Sequence, residues 1–134
     1  MERGDTRILL VDDKPESLNL LEIHLKLAGY PQIKTATDGQ QAIDLAESYQ
    51  PNIILMDTRM PDLYGYEVCR QIKQETYGEK IAIIGISDND DSEYRKQWLE
   101  ADADDFFYKG IIYSNKEDLE VRIQEALRKH QSQS

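Results

Sequence analysis

The sequence has one cysteine, no long apolar run and fewer bases than acids. Cys69 has no second cysteine to pair with, so an intramolecular disulfide is excluded. Without a signal peptide or an apolar run of about 18 residues, the chain is expected to be cytoplasmic, with no membrane partner. Its 16 Lys and Arg against 26 Asp and Glu give a net charge of −10, which argues against direct binding to nucleic acid.

The 134 residues are enough for one domain with its own core, since 40% of them are hydrophobic. No internal repeat or linker interrupts the chain. The composition predicts a disordered N-terminus over residues 1–6, a folded domain over 7–130 and a polar C-terminal tail over 131–134.

Short apolar runs alternate with helical patterns along the whole chain. The runs predict five strands, at residues 7–11, 33–36, 53–56, 81–86 and 105–108, each followed by a helix. Such alternation is typical of a parallel sheet covered by helices on both faces. Right-handed crossovers limit the strand order, so we expect an α/β, flavodoxin-like (βα)5 doubly wound sheet of order 2-1-3-4-5.

Polar residues follow the strands where ligands bind in such sheets. Asp12 and Asp13 follow the first strand, and Asp57, Ser87 and Lys109 end the third, fourth and fifth. Clustered carboxylates repel one another unless a cation intervenes, and Mg²⁺ prefers such hard oxygen ligands. A hydroxyl and an ammonium beside them suit a phosphoryl group in transfer, and a carboxylate can be its acceptor. Asp57 is the candidate because it stands alone on the central strand.

These features together resemble the receiver domain of bacterial two-component response regulators, over about residues 7–130. The resemblance rests on four segments in order, LLVDD, IILMDTRMPDLYG, IIGIS and ADDFFYKG. It implies that Asp57 accepts a phosphoryl group from a histidine kinase, a histidine phosphotransfer domain or a small phosphodonor. It also implies that Asp13, Asp57 and the backbone carbonyl of Arg59 bind Mg²⁺, with Asp12 acting through a water.

The same resemblance gives roles to the remaining site residues. Ser87 would hydrogen-bond the phosphoryl group, and Lys109 would pair with it, and with Asp57 beforehand. Phe106 would be the aromatic switch of a population shift that alters a protein-interaction surface. The chain would be no enzyme beyond its own phosphorylation and autodephosphorylation. An unknown output protein or domain is implied as partner, and a phosphorylation-dependent dimer is left open.

Several residues depart from the family pattern. Gly110 follows Lys109 where the family usually has proline, and a cis bond before a non-proline residue costs about 2.5–4 kcal/mol, so we expect a trans bond. The loop over residues 110–115 is longer than usual. Asp88 and Trp98 take places that small residues commonly hold, which predicts an unusual output surface on the side of the fourth and fifth strands.

Three other functions remain as alternatives. A degenerate, non-phosphorylated receiver acting as an interaction scaffold is the main one, and Gly110 is compatible with it. A phosphatase-like hydrolase would need a second acid two residues after its nucleophile, where this chain has Arg59. A flavin-binding protein would need a phosphate cradle after the first strand, which the acids there do not provide.

Some individual residues also have purely structural interpretations. Asp13 with Glu16 fits a helix capping box, and both histidines fit exposed helical faces.

Overall fold

The computed structural model describes residues 1–88, 92–110 and 115–131. Its strands and helices alternate as the sequence predicts. The strands are β1 (Arg7–Val11), β2 (Gln32–Ala36), β3 (Ile53–Asp57), β4 (Ala82–Ser87) and β5 (Asp105–Tyr108). The helices are α1 (Pro15–Leu27), α2 (Gly39–Tyr49), α3 (Gly65–Lys73), α4 (Ser92–Glu100) and α5 (Lys116–Gln131). Two 3-10 helices, Arg3–Asp5 and Tyr77–Lys80, complete the described structure.

All strand pairs are parallel, in the order β2-β1-β3-β4-β5. The predicted flavodoxin-like fold is therefore confirmed. Strands β3 and β4 are buried along their whole length, as expected for central strands covered on both faces. The register pairs Val11 with Met56, Asp57 with Ile86 and Ser87 with Tyr108. This alignment brings the polar strand ends to one edge of the sheet.

The core has two layers, one on each face of the sheet. Helices α1 and α5 cover one face, where α5 buries an apolar stripe formed by Leu119, Ile123, Ala126 and Leu127. Helices α2, α3 and α4 cover the other face, where Trp98 is fully buried. Helix α1 also carries three apolar residues that remain in solvent: the exposed fractions are 52% for Leu20, 57% for Ile23 and 85% for Leu27.

The N-terminal segment that precedes β1 contacts the rest of the domain. Arg3 hydrogen-bonds the carbonyl of Ala28 and forms an ion pair with Glu120 at 2.8 Å. Thr6 is fully buried, and its hydroxyl donates to the carbonyl of Glu2 at 2.8 Å. Composition did not reveal the contacts of Arg3 because Ala28 and Glu120 lie far along the chain.

Two local interpretations are wrong. No side chain caps the start of α1, where Lys14 is the N-cap residue, so the Asp13 capping box does not form. His130 is only 11% exposed, and its Nε2 lies 2.9 Å from Asp104 Oδ1. In the described part of the chain no peptide bond is cis, which confirms the trans bond between Lys109 and Gly110. The longer loop at 111–114 and the tail at 132–134 lie outside the described residues.

Candidate functional site

Three carboxylates meet at the carboxyl edge of the sheet. Oxygens of Asp12, Asp13 and Asp57 all lie within 4.8 Å of one another. Asp12 follows β1 and Asp57 ends β3. Both residues are buried, with exposed fractions of 1% for Asp12 and 3% for Asp57. The side chain of Asp13 is 34% exposed. The parallel register of β1 and β3 thus produces the predicted acidic cluster.

Burial perturbs the central carboxylate. Desolvation and the neighbouring Asp12 raise the pKa of Asp57 from 3.8 to about 6, although Lys109 and Lys14 act in the opposite direction. Asp57 is therefore still mostly ionised at neutral pH, but its ionised form is less favoured than that of an ordinary surface aspartate.

Lys109 enters the cluster from the end of β5, as predicted, but with a different main partner. Its Nζ lies 2.6 Å from Asp12 Oδ2, 3.2 Å from Asp88 Oδ1 and 3.9 Å from Asp57 Oδ1. It also donates to the hydroxyl of Ser17 at 3.2 Å. Burial lowers the pKa of Lys109, but the bond to Asp12 and the field of Asp57 outweigh it and raise the pKa above its ordinary value.

A second lysine, which sequence reasoning did not assign to the site, lies at its mouth. Lys14 Nζ is 3.3 Å from Asp88, 3.4 Å from Asp57, 3.6 Å from Asp13 and 3.8 Å from Asp12. Despite partial burial, the surrounding carboxylates, Asp57 first, raise its pKa. The available sequence signal was its place directly after the acid pair, which is equally typical of a helix start.

Of the remaining predicted residues, Arg59 and Ser87 line one pocket of about 240 Å³. Its walls are formed by Asp13, Lys14, Asp57, Thr58, Arg59, Ser87 and Asp88. Ser87 ends β4 and is 3% exposed. Phe106, on β5, is 1% exposed, and the guanidinium of Arg95 lies 5.0 Å above its ring. The structure thus brings the predicted acids, hydroxyl and ammonium together, with the aromatic ring buried on the neighbouring strand.

A buried hydrogen-bond chain next to Asp57 was also missed. Thr58 is 1% exposed; its hydroxyl donates to the carbonyl of Ile86 at 2.8 Å and accepts from Trp98 Nε1 at 3.0 Å. The indole fits because Gly85 and Gly65 have no side chains, since a Cβ on them would lie 2.4 Å and 2.7 Å from its ring atoms. Trp98 therefore connects α4 to the residue that follows Asp57.

The donor set fits a hard divalent cation. Three carboxylates converge within 4.8 Å, and Arg59 lines the pocket that Asp13 and Asp57 also line. Oxygen ligands of this kind are those that Mg²⁺ prefers. The site has four negative charges, on Asp12, Asp13, Asp57 and Asp88, and two positive charges, on Lys14 and Lys109. A dication would balance the net charge of these six groups.

None of the helices within the described ranges is long and apolar enough to cross a membrane.

Comparison with known proteins points to one family. The family model described as "Response regulator receiver domain" matches residues 8–124. The chain is 37% identical to "Probable transcriptional regulator ycf27" of Cyanophora paradoxa over 96% of this chain and 51% of that protein. It is 40% identical to "Response regulator PleD" of Caulobacter vibrioides over 78% of this chain and 23% of that protein. The chain thus spans about half, or less, of these relatives' length.

One solved structure is similar to this chain in both fold and sequence. The receiver domain of the sensor histidine kinase PA1611 from Pseudomonas aeruginosa PAO1 is 31% identical, with a TM-score of 0.81 over 91% of this chain and 97% of that one. That structure is described with a magnesium ion coordinated in its active-site cleft. From the matched segment of 117 residues (8–124) and these relatives, the chain belongs to the response regulator receiver domain family.

Proposed function

We propose that this receiver domain takes a phosphoryl group onto Asp57, in a Mg²⁺-dependent reaction with a histidine kinase or a phosphotransfer domain. The observation that carries the proposal is the position of Asp57. Its buried carboxylate ends the central strand and lines an open pocket that Ser87 also lines, and the ammonium of Lys109 lies 3.9 Å from it. Such groups stabilise a phosphoryl group in transfer.

In the transfer, an oxygen of ionised Asp57 attacks the phosphorus of a phosphohistidine or a small acyl phosphate. A new O–P bond forms on Asp57, while the P–N or P–O bond of the donor breaks and the leaving group keeps its electron pair. The pKa of about 6 leaves Asp57 ionised at neutral pH, as the attack requires. The ammonium of Lys109 offsets the charge added by the phosphoryl oxygens.

Asp13, Asp57 and the Arg59 carbonyl are the residues that would hold Mg²⁺, with Asp12 acting through a water. When bound, Mg²⁺ supplies positive charge against the phosphoryl oxygens. The relative described with magnesium and the convergent oxygens of this chain support this assignment.

The output of the reaction would be a change in a protein-interaction surface. Ser87 would hydrogen-bond the phosphoryl group, and Phe106 on the adjacent strand would respond, so that phosphorylation favours one arrangement of this side of the domain. The partner would be an output protein or domain in the cytoplasm. The chain would catalyse only its own phosphorylation and autodephosphorylation.

The test is the intact mass of the protein after incubation with acetyl phosphate and Mg²⁺. We expect a single phosphoryl adduct in the wild type, lost when Mg²⁺ is chelated and absent in Asp57→Asn. Asp62→Asn is the matched control, because Asp62 lies in the next loop and bonds the start of α2 instead of the site. This variant should form the adduct as the wild type does.

The opposite result would favour the scaffold function. If neither acetyl phosphate nor a phosphorylated phosphotransfer domain gives an adduct, and beryllofluoride does not bind, the phosphoacceptor proposal is wrong. Beryllofluoride separates this outcome from an adduct that forms and decays quickly.

A further inference from the structure

Lys14 is placed unlike an ordinary surface lysine. Its ammonium contacts all four carboxylates of the site at 3.3 to 3.8 Å, although its side chain is 45% exposed. Its backbone is fixed at the start of α1, where its N–H donates to Asp12 Oδ1 at 2.9 Å and Pro15 follows. The backbone is thus held in place while the long side chain retains an open path to solvent.

The contacts of Lys14 are with the oxygens that a metal ion needs. Asp13 and Asp57 lie 3.6 Å and 3.4 Å from Nζ, and these are two of the three carboxylates whose oxygens converge within 4.8 Å. A dication bound by these oxygens and an ammonium beside them would repel each other strongly at such short range. Metal and ammonium therefore compete for one position.

Lys109 does not compete in the same way. Its Nζ lies closest to Asp12, at 2.6 Å, and its side chain is only 8% exposed, so it cannot leave the site without a larger rearrangement. Asp88, in contrast, is 44% exposed and contacts both ammonium groups, Lys14 at 3.3 Å and Lys109 at 3.2 Å. When a dication displaces Lys14 from the inner carboxylates, Asp88 remains as an outer partner for it.

We propose that Lys14 is a built-in counter-ion of the acidic site. Its ammonium occupies the cation position in the metal-free protein, and Mg²⁺ binds more weakly because it must displace this ammonium. This inference rests on the proposed Mg²⁺-dependent function and adds a residue that sets its metal requirement. Lys14 thereby stabilises the metal-free domain, whose acids would otherwise repel one another, and raises the Mg²⁺ concentration at which the site fills.

The test is the Mg²⁺ dissociation constant of the full chain, measured by titration calorimetry and by the fluorescence of Trp98, the single tryptophan. We expect Lys14→Met to bind Mg²⁺ about tenfold more tightly than the wild type, because a positive charge next to the dication is removed. Lys80→Met is the matched control, since Lys80 is an exposed lysine in the 3-10 helix Tyr77–Lys80. Its affinity should equal that of the wild type.

Thermal unfolding gives a second, independent measurement. Lys14→Met should melt below the wild type in EDTA, and saturating Mg²⁺ should close that gap, because metal binding to the folded state stabilises it by mass action. A merely structural lysine would lower the melting temperature equally in both buffers. Lys14→Gln, which is shorter and polar, repeats both measurements if the methionine variant does not fold.

The outcomes separate the two proposals. If Lys14→Met and Lys14→Gln bind Mg²⁺ no more tightly than the wild type, the counter-ion role is wrong while the metal-dependent function stands. If calorimetry detects no Mg²⁺ binding to the wild type or to either variant, the proposed Mg²⁺-dependent function itself fails.

Discussion

Replacing Asp57 by asparagine should stabilise the metal-free protein at neutral pH. Asp57 is 3% exposed, and its pKa is raised from 3.8 to about 6. A carboxyl group with a raised folded-state pKa binds its proton more tightly in the folded state than in the unfolded one. Its contribution to stability is therefore fully present below pH 3.8 and is lost as the pH rises through about 6.

The magnitude follows from the size of the shift. Each pKa unit corresponds to about 1.36 kcal/mol, so a change from 3.8 to about 6 gives roughly 3 kcal/mol once both states are ionised. An asparagine side chain at this position would be neutral at every pH and would avoid this cost. We expect the free energy of unfolding of Asp57→Asn to exceed that of the wild type by about 3 kcal/mol above about pH 7. At about pH 5 the difference should be about half as large.

The assay is urea unfolding followed by far-UV circular dichroism, in EDTA, across this pH range. Asp62→Asn serves as a control of opposite sign, because hydrogen bonds from the Gly39 and Gln40 backbone lower the pKa of Asp62. Loss of this carboxylate should therefore destabilise the protein at neutral pH. An Asp57→Asn variant that is no more stable than the wild type, or whose advantage does not change with pH, would refute the reasoning.

Two further predictions concern buried groups outside the acidic cluster. Thr58→Val should lower the free energy of unfolding by about 2 kcal/mol, since it leaves the Trp98 indole N–H buried without its acceptor; a change in urea unfolding below about 0.5 kcal/mol would contradict this. Cys69, whose pKa burial raises to about 12, should resist a thiol reagent at about pH 8 in the folded protein and react in urea, because the thiolate is the reactive form. Rapid modification of the folded chain would show that the thiol is accessible.

The fold and the acidic cluster could be predicted because their signals are local. The run Ile53–Asp57 is apolar up to its last residue, so a doubly buried strand ending in an acid is recognisable without knowing any partner. Asp12, Ser87 and Lys109 follow other predicted strands, and parallel pairing brings such ends to one edge. Pattern and topology together were enough to place these side chains.

The missed contacts depend on partners that are distant in sequence. Lys14 is explained equally well as a helix-start residue, and only the positions of the carboxylates show where its ammonium lies. The bond between Thr58 and Trp98 joins residues 40 positions apart. One signal was available: a glycine inside a buried strand, Gly85, indicates the close approach of another group, and the indole of Trp98 is that group.

The cost of the acidic site bears on the choice between phosphoacceptor and scaffold. The sheet does not need a charge at the end of β3, because a neutral residue of the same shape at position 57 is expected to give a more stable domain at neutral pH. Asp57 is nevertheless buried there beside Asp12, with Lys14 and Lys109 near enough to keep it ionised. Groups that lower stability in this way are expected where chemistry requires them. An interaction scaffold would have no use for an ionised, buried carboxylate facing an open pocket, whereas transfer of a phosphoryl group depends on one.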